Sequence, residues 1–148
     1  MILIAVILAA TVSLYAIQRK RGIPDSVSEI AYIIPHWAFS AWIAVAGISL
    51  MPPMMDSLNE NWQWIGFLSI VGLMCVSASA YYKTEAKTLH YVGGCLCALC
   101  ATIVTAIIQP LLLFAWIGYL IMMIWSHRNW LFWGEVVVFA LLVVALSI

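Results

Sequence analysis

Charged side chains are excluded from long stretches of this chain, and that exclusion limits what the chain can fold into. No Asp, Glu, Lys or Arg occurs from Ile30 to Met55 or from Thr88 to His127. A helix needs about 20 mostly apolar residues to cross the hydrocarbon core of a bilayer. Each of these stretches is long enough for at least one crossing, so the sequence indicates an integral membrane protein.

The composition excludes most other classes of protein. Of the 148 residues, 66% are hydrophobic and 8% are charged, whereas a soluble domain is about half apolar and about a quarter charged. Six basic and six acidic residues cannot cover a water-soluble globule. A soluble enzyme and a disordered chain are therefore excluded. The formal net charge is zero, so there is also no basic surface for nucleic acid.

The apolar stretches divide into six predicted helices that are separated by short polar or proline-containing segments. Together these helices fill the chain and leave no room for a soluble domain beside them. The predicted ranges are 2–18, 26–51, 62–82, 88–108, 111–125 and 130–148. We therefore predict an all-α integral membrane protein, folded as one six-helix transmembrane bundle with short loops.

The second predicted helix contains a proline that allows two alternatives. Its start is marked by a capping box, Ser26-x-x-Glu29, and its end by Pro52-Pro53. Pro35 lies between them and cannot donate a hydrogen bond to the carbonyl four residues earlier. The result is either one helix with a kink at Pro35, or a short interfacial helix before it and a membrane helix after it.

Basic residues occur in only three of the five predicted loops. If the N-terminus is outside, these loops face the cytoplasm and the outer loops contain no basic residue, as the positive-inside rule requires. The basic residues are Arg19, Lys20, Arg21, Lys83, Lys87 and Arg128. The pattern predicts that both termini lie outside. A five-span alternative, in which the fourth and fifth helices merge through Pro110, would place Arg128 outside and is disfavoured.

Polar side chains inside membrane helices are costly to insert and therefore mark candidate functional positions. His36, His90 and Glu135 are all expected on the inner side of the membrane. Glu135 is either a proton-binding, cation-binding or acid–base group, or a first-turn acid that reaches headgroup water. If the three converge, they could shuttle protons or bind a divalent metal. No two share a helix and no His-x-x-x-His pair occurs, so we predict neither a metal site nor a cofactor.

Two further features concern surfaces. Ser26 and Glu29 belong to a polar segment on the inner face, which is a solvated cap, a docking surface or a gate. A stripe of small residues on the fourth helix and Gly72 on the third let helices approach closely, within one chain or between subunits. The stripe consists of Gly94, Ala98, Ala101 and Thr105. We expect self-assembly into a homo-oligomer.

Two short motifs resemble those of a group of short bacterial multi-span membrane proteins that has no agreed biochemical role. The motifs are Ile23-Pro24-x-Ser26-x-Ser28 after the first helix and Leu89-His90-Tyr91-Val92-Gly93-Gly94 at the fourth. The resemblance extends over about residues 20–105. It implies a location in the bacterial cytoplasmic (inner) membrane, and it marks Ser26, Ser28 and His90 as positions to mutate.

Three functions remain open from the sequence. The first is a homo-oligomeric channel, pore or small-solute conduit, because small membrane proteins without soluble domains often work by assembling. The second is an accessory subunit or effector that docks a cytoplasmic protein through residues 19–32 and 83–90. The third is an intramembrane enzyme that acts on a lipid or quinone through His36, His90 and Glu135. The sequence favours them in that order.

Overall fold

The computed structural model describes residues 1–125 and 129–148, and its regular elements in these ranges are all helical. Two 3₁₀ segments, Val27–Tyr32 and Pro110–Phe114, precede the second and fifth α-helices. The α-helices are α1 (Ile2–Lys20), α2 (His36–Ser57), α3 (Gln63–Ala78), α4 (Lys87–Ile108), α5 (Ala115–Trp125) and α6 (Trp130–Ala145). The predicted all-α class is confirmed. Arg128, which was counted among the basic loop residues, lies outside the described ranges.

Three of these helices, α1, α2 and α4, are long and apolar enough to cross a membrane, judged by length and composition. The helices α2 and α4 contain 22 residues each, which corresponds to about 33 Å at about 1.5 Å per residue. The apolar helices α3 and α6 contain 16 residues each, or about 24 Å. The described part of the chain is therefore compatible with a membrane protein.

The chain breaks at Pro35 instead of kinking there. The 3₁₀ segment ends at Tyr32, and α2 begins at His36 with Pro35 as its N-cap. The single helix expected over 26–51 is therefore wrong, and the alternative with two separate pieces is observed. Proline fits this position because the first residues of a helix need no intrahelical donor. Its carbonyl accepts hydrogen bonds from the backbone N–H groups of Ala38 and Phe39 at 2.9 and 3.1 Å.

Pro52-Pro53 does not end α2, contrary to expectation, because the helix continues to Ser57. A proline removes its own N–H donor, but its carbonyl still accepts, and membrane helices tolerate this when neighbouring groups satisfy the backbone. The carbonyls that lose their donors are those of Ile48 and Ser49, four residues before each proline. The Ser57 hydroxyl bonds in the last turn, to the Pro53 carbonyl at 2.7 Å. At the other end of the next helix, α3 stops at Ala78 instead of extending to residue 82. Residues 79–85 form turns instead.

The closest packing in the bundle joins α3 to α4. A Cβ atom added at Gly72 would lie 2.6 Å from the Cys97 nitrogen and 2.6 Å from the Gly93 carbonyl oxygen, so the two backbones are in contact. A Cβ added at Gly94 would have its nearest neighbour at 3.8 Å. The contact therefore includes Gly72 as expected, but it passes through Gly93 instead of Gly94.

The rest of the expected stripe on α4 differs in burial. Ala101 and Thr105 are buried, with 2% and 1% of their surfaces exposed, whereas Ala98 is half-buried. Each helix position turns by about 100°, so these three residues lie within about 60° of one another, on one face. Ala101 and Thr105 are packed inside the bundle, and Ala98 lies at the margin of this face.

Parts of the chain that are distant in sequence meet at residues 23–32, which we call the connecting segment. The Lys83 backbone N–H donates to the Tyr32 hydroxyl at 2.9 Å, which joins the α3–α4 connection to this segment. From the other side, the Phe132 N–H donates to the Asp25 carbonyl at 3.1 Å. The Asn129 side-chain amide also donates to two carbonyls of the segment at 2.9 Å. One end of the bundle is thus assembled around residues 23–32.

Candidate functional site

The connecting segment owes its local shape to a serine cap. Ser26 has extended backbone angles, and its hydroxyl oxygen accepts the Glu29 N–H at 3.1 Å, which starts the 3₁₀ segment. This half of the expected capping box is observed. The Glu29 carboxylate does not return to the Ser26 backbone; it accepts from the Asp25 N–H at 2.6 Å and from Lys20 Nζ at 2.8 Å. Ser26 and Glu29 therefore fix the segment and tie it to the end of α1.

His90 lies in the first turn of α4 and is buried, with 3% of its surface exposed. Its Nε2 atom lies 2.8 Å from the hydroxyl oxygen of Ser28, in the middle of the connecting segment. Its Nδ1 atom lies 3.1 Å from both the carbonyl oxygen and the hydroxyl oxygen of Ser79, just beyond the end of α3. The imidazole thus joins three elements, and both of its nitrogens have partners.

The hydrogen-bond partners of His90 assign its tautomer. A carbonyl oxygen can only accept, so the proton that faces the Ser79 carbonyl must reside on Nδ1. In a neutral imidazole Nε2 is then an acceptor, and the Ser28 hydroxyl is its donor. A serine hydroxyl, an imidazole acceptor and a group that orients the imidazole form the arrangement that activates serine nucleophiles. The site therefore has the parts for proton transfer from Ser28 to His90.

Two neighbours hold the His90 ring in place. Ser79 is almost fully buried, and its hydroxyl donates to the Cys75 carbonyl at 2.5 Å, which anchors it to the last turn of α3. The Tyr82 ring stacks on the His90 ring with centroids 4.2 Å apart and planes inclined by 20°. Burial raises the pKa of Tyr82 to about 12, so its hydroxyl is protonated at neutral pH. The imidazole is therefore fixed through its nitrogens and through one face.

Glu135 holds the backbone directly beside Ser28. Its Oε2 atom accepts the Val27 N–H at 2.5 Å, and the residue is half-buried in α6. Among the described residues, salt bridges occur only at Lys20, so Glu135 has no cationic partner there. Glu135 is the sixth residue of α6 and not a first-turn acid as one alternative expected, and it bonds to the connecting segment, where it positions Val27.

His36 lies apart from the other two candidates. Its ring centroid is 4.0 Å from that of Tyr81 and 5.4 Å from that of Tyr32. His36, His90 and Glu135 each contact a different residue of the connecting segment, and in the described ranges no hydrogen bond or ring contact joins them to one another. Within residues 1–125 and 129–148, no group of three or more His, Cys, Asp or Glu side chains could hold a metal ion. The candidates thus share a segment without forming one cluster.

Sequence reasoning missed the roles of Ser79 and Tyr82. Both lie in the turns after α3, a region that was expected to continue as helix to residue 82. The available signal was the short separation between Ser79 and His90 across a connection with three charged residues, Lys83, Glu85 and Lys87. A connection this short brings the end of one helix close to the start of the next, so side chains at both ends are candidates for contact.

Comparisons of the chain with protein-family models, curated proteins and solved structures find no match. In the ranges that the structure describes, the protein is α-helical, and three of its helices are suited by length and composition to cross a membrane. Its candidate site is the connecting segment, with Ser28 bound to a buried and oriented His90.

Proposed function

We propose that this chain is a multi-pass membrane enzyme in which Ser28 is the nucleophile and His90 its general base, and that its substrate is an ester or thioester of a lipid. The observation that supports this best is the 2.8 Å contact between Ser28 Oγ and His90 Nε2, with the opposite nitrogen bound to the Ser79 carbonyl. A serine hydroxyl is a weak nucleophile unless an oriented base accepts its proton. These contacts favour the enzyme over the other two functions that the sequence leaves open.

The proposed membrane arrangement has six crossings, with both termini outside, in a bacterial cytoplasmic membrane. The three shorter apolar helical stretches, Gln63–Ala78, Pro110–Trp125 and Trp130–Ala145, complete the six, and local thinning of the bilayer accommodates their length. The contact between Lys83 and Tyr32 supports one common side for the first and third loops. Because these loops carry the basic residues, that side is the cytoplasmic one. Ser28 then lies at the level of lipid headgroups.

The proposed reaction is an acyl transfer in two steps. Ser28 Oγ attacks the carbonyl carbon of the ester, and its proton moves to His90 Nε2, while the other ring proton stays on Nδ1 and keeps its hydrogen bond to the Ser79 carbonyl oxygen. Collapse of the tetrahedral intermediate breaks the bond to the alcohol, which takes the proton from Nε2 and leaves an acyl group on Ser28. Water then attacks this acyl group and gives a proton to His90 Nε2. The bond between the acyl carbon and Ser28 Oγ breaks, Oγ takes the proton back from Nε2, and the carboxylic acid is released. Ser28 is half-buried, whereas His90 is buried.

The proposal is tested by covalent labelling with a fluorophosphonate probe, which reacts with activated serines. The full chain in lipid nanodiscs is incubated with the probe, and the adduct is mapped by mass spectrometry. We expect one adduct at Ser28, its loss in Ser28→Ala, and its retention in the control Ser57→Ala, whose hydroxyl bonds only to the Pro53 carbonyl. His90→Gln should slow labelling by about 100-fold or more, since general-base catalysis contributes about 10²–10⁴-fold.

The absence of an adduct at Ser28 in the folded wild-type chain would contradict the proposal, as would equal labelling of Ser57. If His90→Gln fails to fold, Ser28→Cys gives a second measurement. With an adjacent base, its thiol should be alkylated by iodoacetamide faster than the thiol of Asp25→Cys, a position in the same segment whose side chain is 83% exposed. Equal alkylation rates would show that His90 does not activate the residue at position 28.

The homo-oligomeric conduit and the docking of a cytoplasmic protein stay predictions. Neither is tested by a contact within the single chain described here. Both are compatible with six crossings.

A further inference from the structure

An open cleft of about 210 Å³ lies next to the stacked His90 and Tyr82 rings. Its lining comes from both sides of the α3–α4 junction: Tyr82 and Lys83 from the connection, and Lys87 and Tyr91 from the first turns of α4. Tyr82 belongs to both places, since one face of its ring packs on His90 and the residue also lines the cleft. The cleft is therefore adjacent to the candidate site but is formed by other side chains.

The cleft is positively charged. Its lining contains two lysines and no acidic residue, and Glu85, the acid of the same connection, is not part of it. In the part of the chain that the structure describes, neither Lys83 nor Lys87 pairs with a carboxylate, since both salt bridges belong to Lys20. The Lys83 ammonium lies 4.7 Å above the centroid of the Tyr32 ring, which holds this charge near the connecting segment.

We propose that this cleft binds the phosphate group of an anionic lipid headgroup. Lysine ammonium groups bind phosphate as mobile point charges with three donors each, and basic pockets between membrane helices on the cytoplasmic side accept phosphorylated headgroups. The volume is below the roughly 300–1,000 Å³ of pockets that enclose a drug-sized ligand. A phosphate with a small substituent matches that size, and the acyl chains of the lipid remain in the bilayer.

This inference rests on the proposed function in one respect, because it makes a phosphate-bearing lipid the ester that Ser28 attacks. Tyr82 links the two places, since it contacts the His90 ring and lines the cleft. The connection between Lys83 and Tyr32 adds a second link, through the residue that ends the 3₁₀ segment. A headgroup in the cleft would thus bind beside two residues, Tyr82 and Lys83, of which one packs on His90 and the other bonds to the connecting segment.

The test measures lipid retention by the full chain in native mass spectrometry, with phosphatidylglycerol or phosphatidylcholine as the probe. The variant Lys83→Gln/Lys87→Gln removes both charges of the cleft, and Arg19→Gln/Arg21→Gln removes two exposed charges at the end of α1 as the matched control. We expect the lysine variant to lose about 30-fold in affinity for phosphatidylglycerol. At 0.15 M salt, screening should limit the loss in the arginine variant to about threefold. Phosphatidylcholine should bind weakly to all three proteins.

Equal losses in the two variants would overturn the proposal, because they would indicate general surface attraction. An unchanged affinity in the lysine variant would overturn it as well. Competition by millimolar inorganic phosphate separates the two sources of the ligand: displacement of the lipid by free phosphate would overturn the lipid assignment, and retention of the lipid supports it.

Fluorophosphonate labelling of Ser28 in the lysine variant keeps the proposals separate. If Ser28 is labelled but the lysine variant keeps its affinity for phosphatidylglycerol, only the cleft proposal is contradicted. If the lysine variant loses that affinity but Ser28 is not labelled in the wild-type chain, only the enzyme proposal is contradicted.

Discussion

The Glu29 carboxylate accepts hydrogen bonds from Lys20 Nζ at 2.8 Å and from the Asp25 N–H at 2.6 Å. Burial acts to raise the pKa of Glu29, but the bonds to Lys20 and to the Asp25 N–H outweigh it and lower the pKa below the usual value of 4.5. The folded state therefore binds fewer protons than the unfolded chain near that pH. Its stabilising contribution is present above about pH 4.5 and is lost as the pH falls through the lower folded value.

We predict that Glu29→Gln destabilises the protein at pH 7 by about 1 kcal/mol, which is less than the roughly 1.5–3 kcal/mol of hydrogen bonds to charged groups because water reaches the pair. Below the folded pKa the wild-type and variant proteins should have the same stability. Thermal unfolding in detergent, followed by tryptophan fluorescence across the pH range, checks this. In the control Asp25→Asn, the side chain is 83% exposed and 4.0 Å from Lys20, so a change below about 0.5 kcal/mol is expected. A difference that persists at acid pH would contradict the assignment.

At the level of residues, polarity in an apolar chain was a sufficient signal for half of the candidate site. His90 and Glu135 were identified because a polar side chain stands out among apolar neighbours, and Ser28 was marked by the motif resemblance. What each one bonds to was not predictable, because periodicity gives the face of a helix and not the partner across a connection. Ser79 is one of several helix-end hydroxyls in the sequence, and only the position of the α3–α4 turn brings it to His90.

At the level of helices, the backbone contact between α3 and α4 gives a sharp prediction. Gly72→Ala places a Cβ atom 2.6 Å from the Cys97 nitrogen, which is backbone and cannot rotate away. We expect a loss of about 1–3 kcal/mol, as for other overpacked interiors. Gly94→Ala is the matched control, since its added Cβ has 3.8 Å of space and alanine favours a helix. Unfolding in mixed micelles compares the two variants, and equal losses would contradict the proposed contact.

The helix boundaries show which sequence signals are dependable. Four apolar stretches gave helices close to their predicted ranges, because hydrophobic length is a direct requirement of the structure. Proline was an ambiguous signal for a helix boundary: Pro35 is the N-cap of α2, whereas Pro52 and Pro53 lie inside this helix. A proline loses only its own N–H, so whether it ends a helix depends on the neighbours that satisfy the remaining backbone groups. Those neighbours are not known until the chain has folded.

The whole molecule has two ends that differ in charge. The connecting segment contacts the α3–α4 connection through Tyr32 and Lys83, and α2 then runs for 22 residues, or about 33 Å, to its last turn, which contains Asp56, and to the following loop, which contains Glu60. The sequence pattern had assigned the basic loops to one side of the membrane and this acidic loop to the other. The geometry agrees that residues 32 and 83 share one end of the bundle, which the spacing of charges alone could not establish.

We predict that Asp56 and Glu85 are reached from opposite sides of the membrane. Both side chains are exposed, so Asp56→Cys and Glu85→Cys should react with a membrane-impermeant maleimide without disturbing the fold. Asp56→Cys should be labelled in intact cells, and Glu85→Cys only after permeabilisation, because the positive-inside rule places the loop with Lys83 and Lys87 in the cytoplasm. The unsubstituted chain, with its native cysteines, measures background labelling.

Labelling of both positions from the same side would mean that α3 does not cross the bilayer, and the six-span arrangement would then be wrong. Labelling of Glu85→Cys alone in intact cells would invert the protein and place Ser28 in the opposite leaflet.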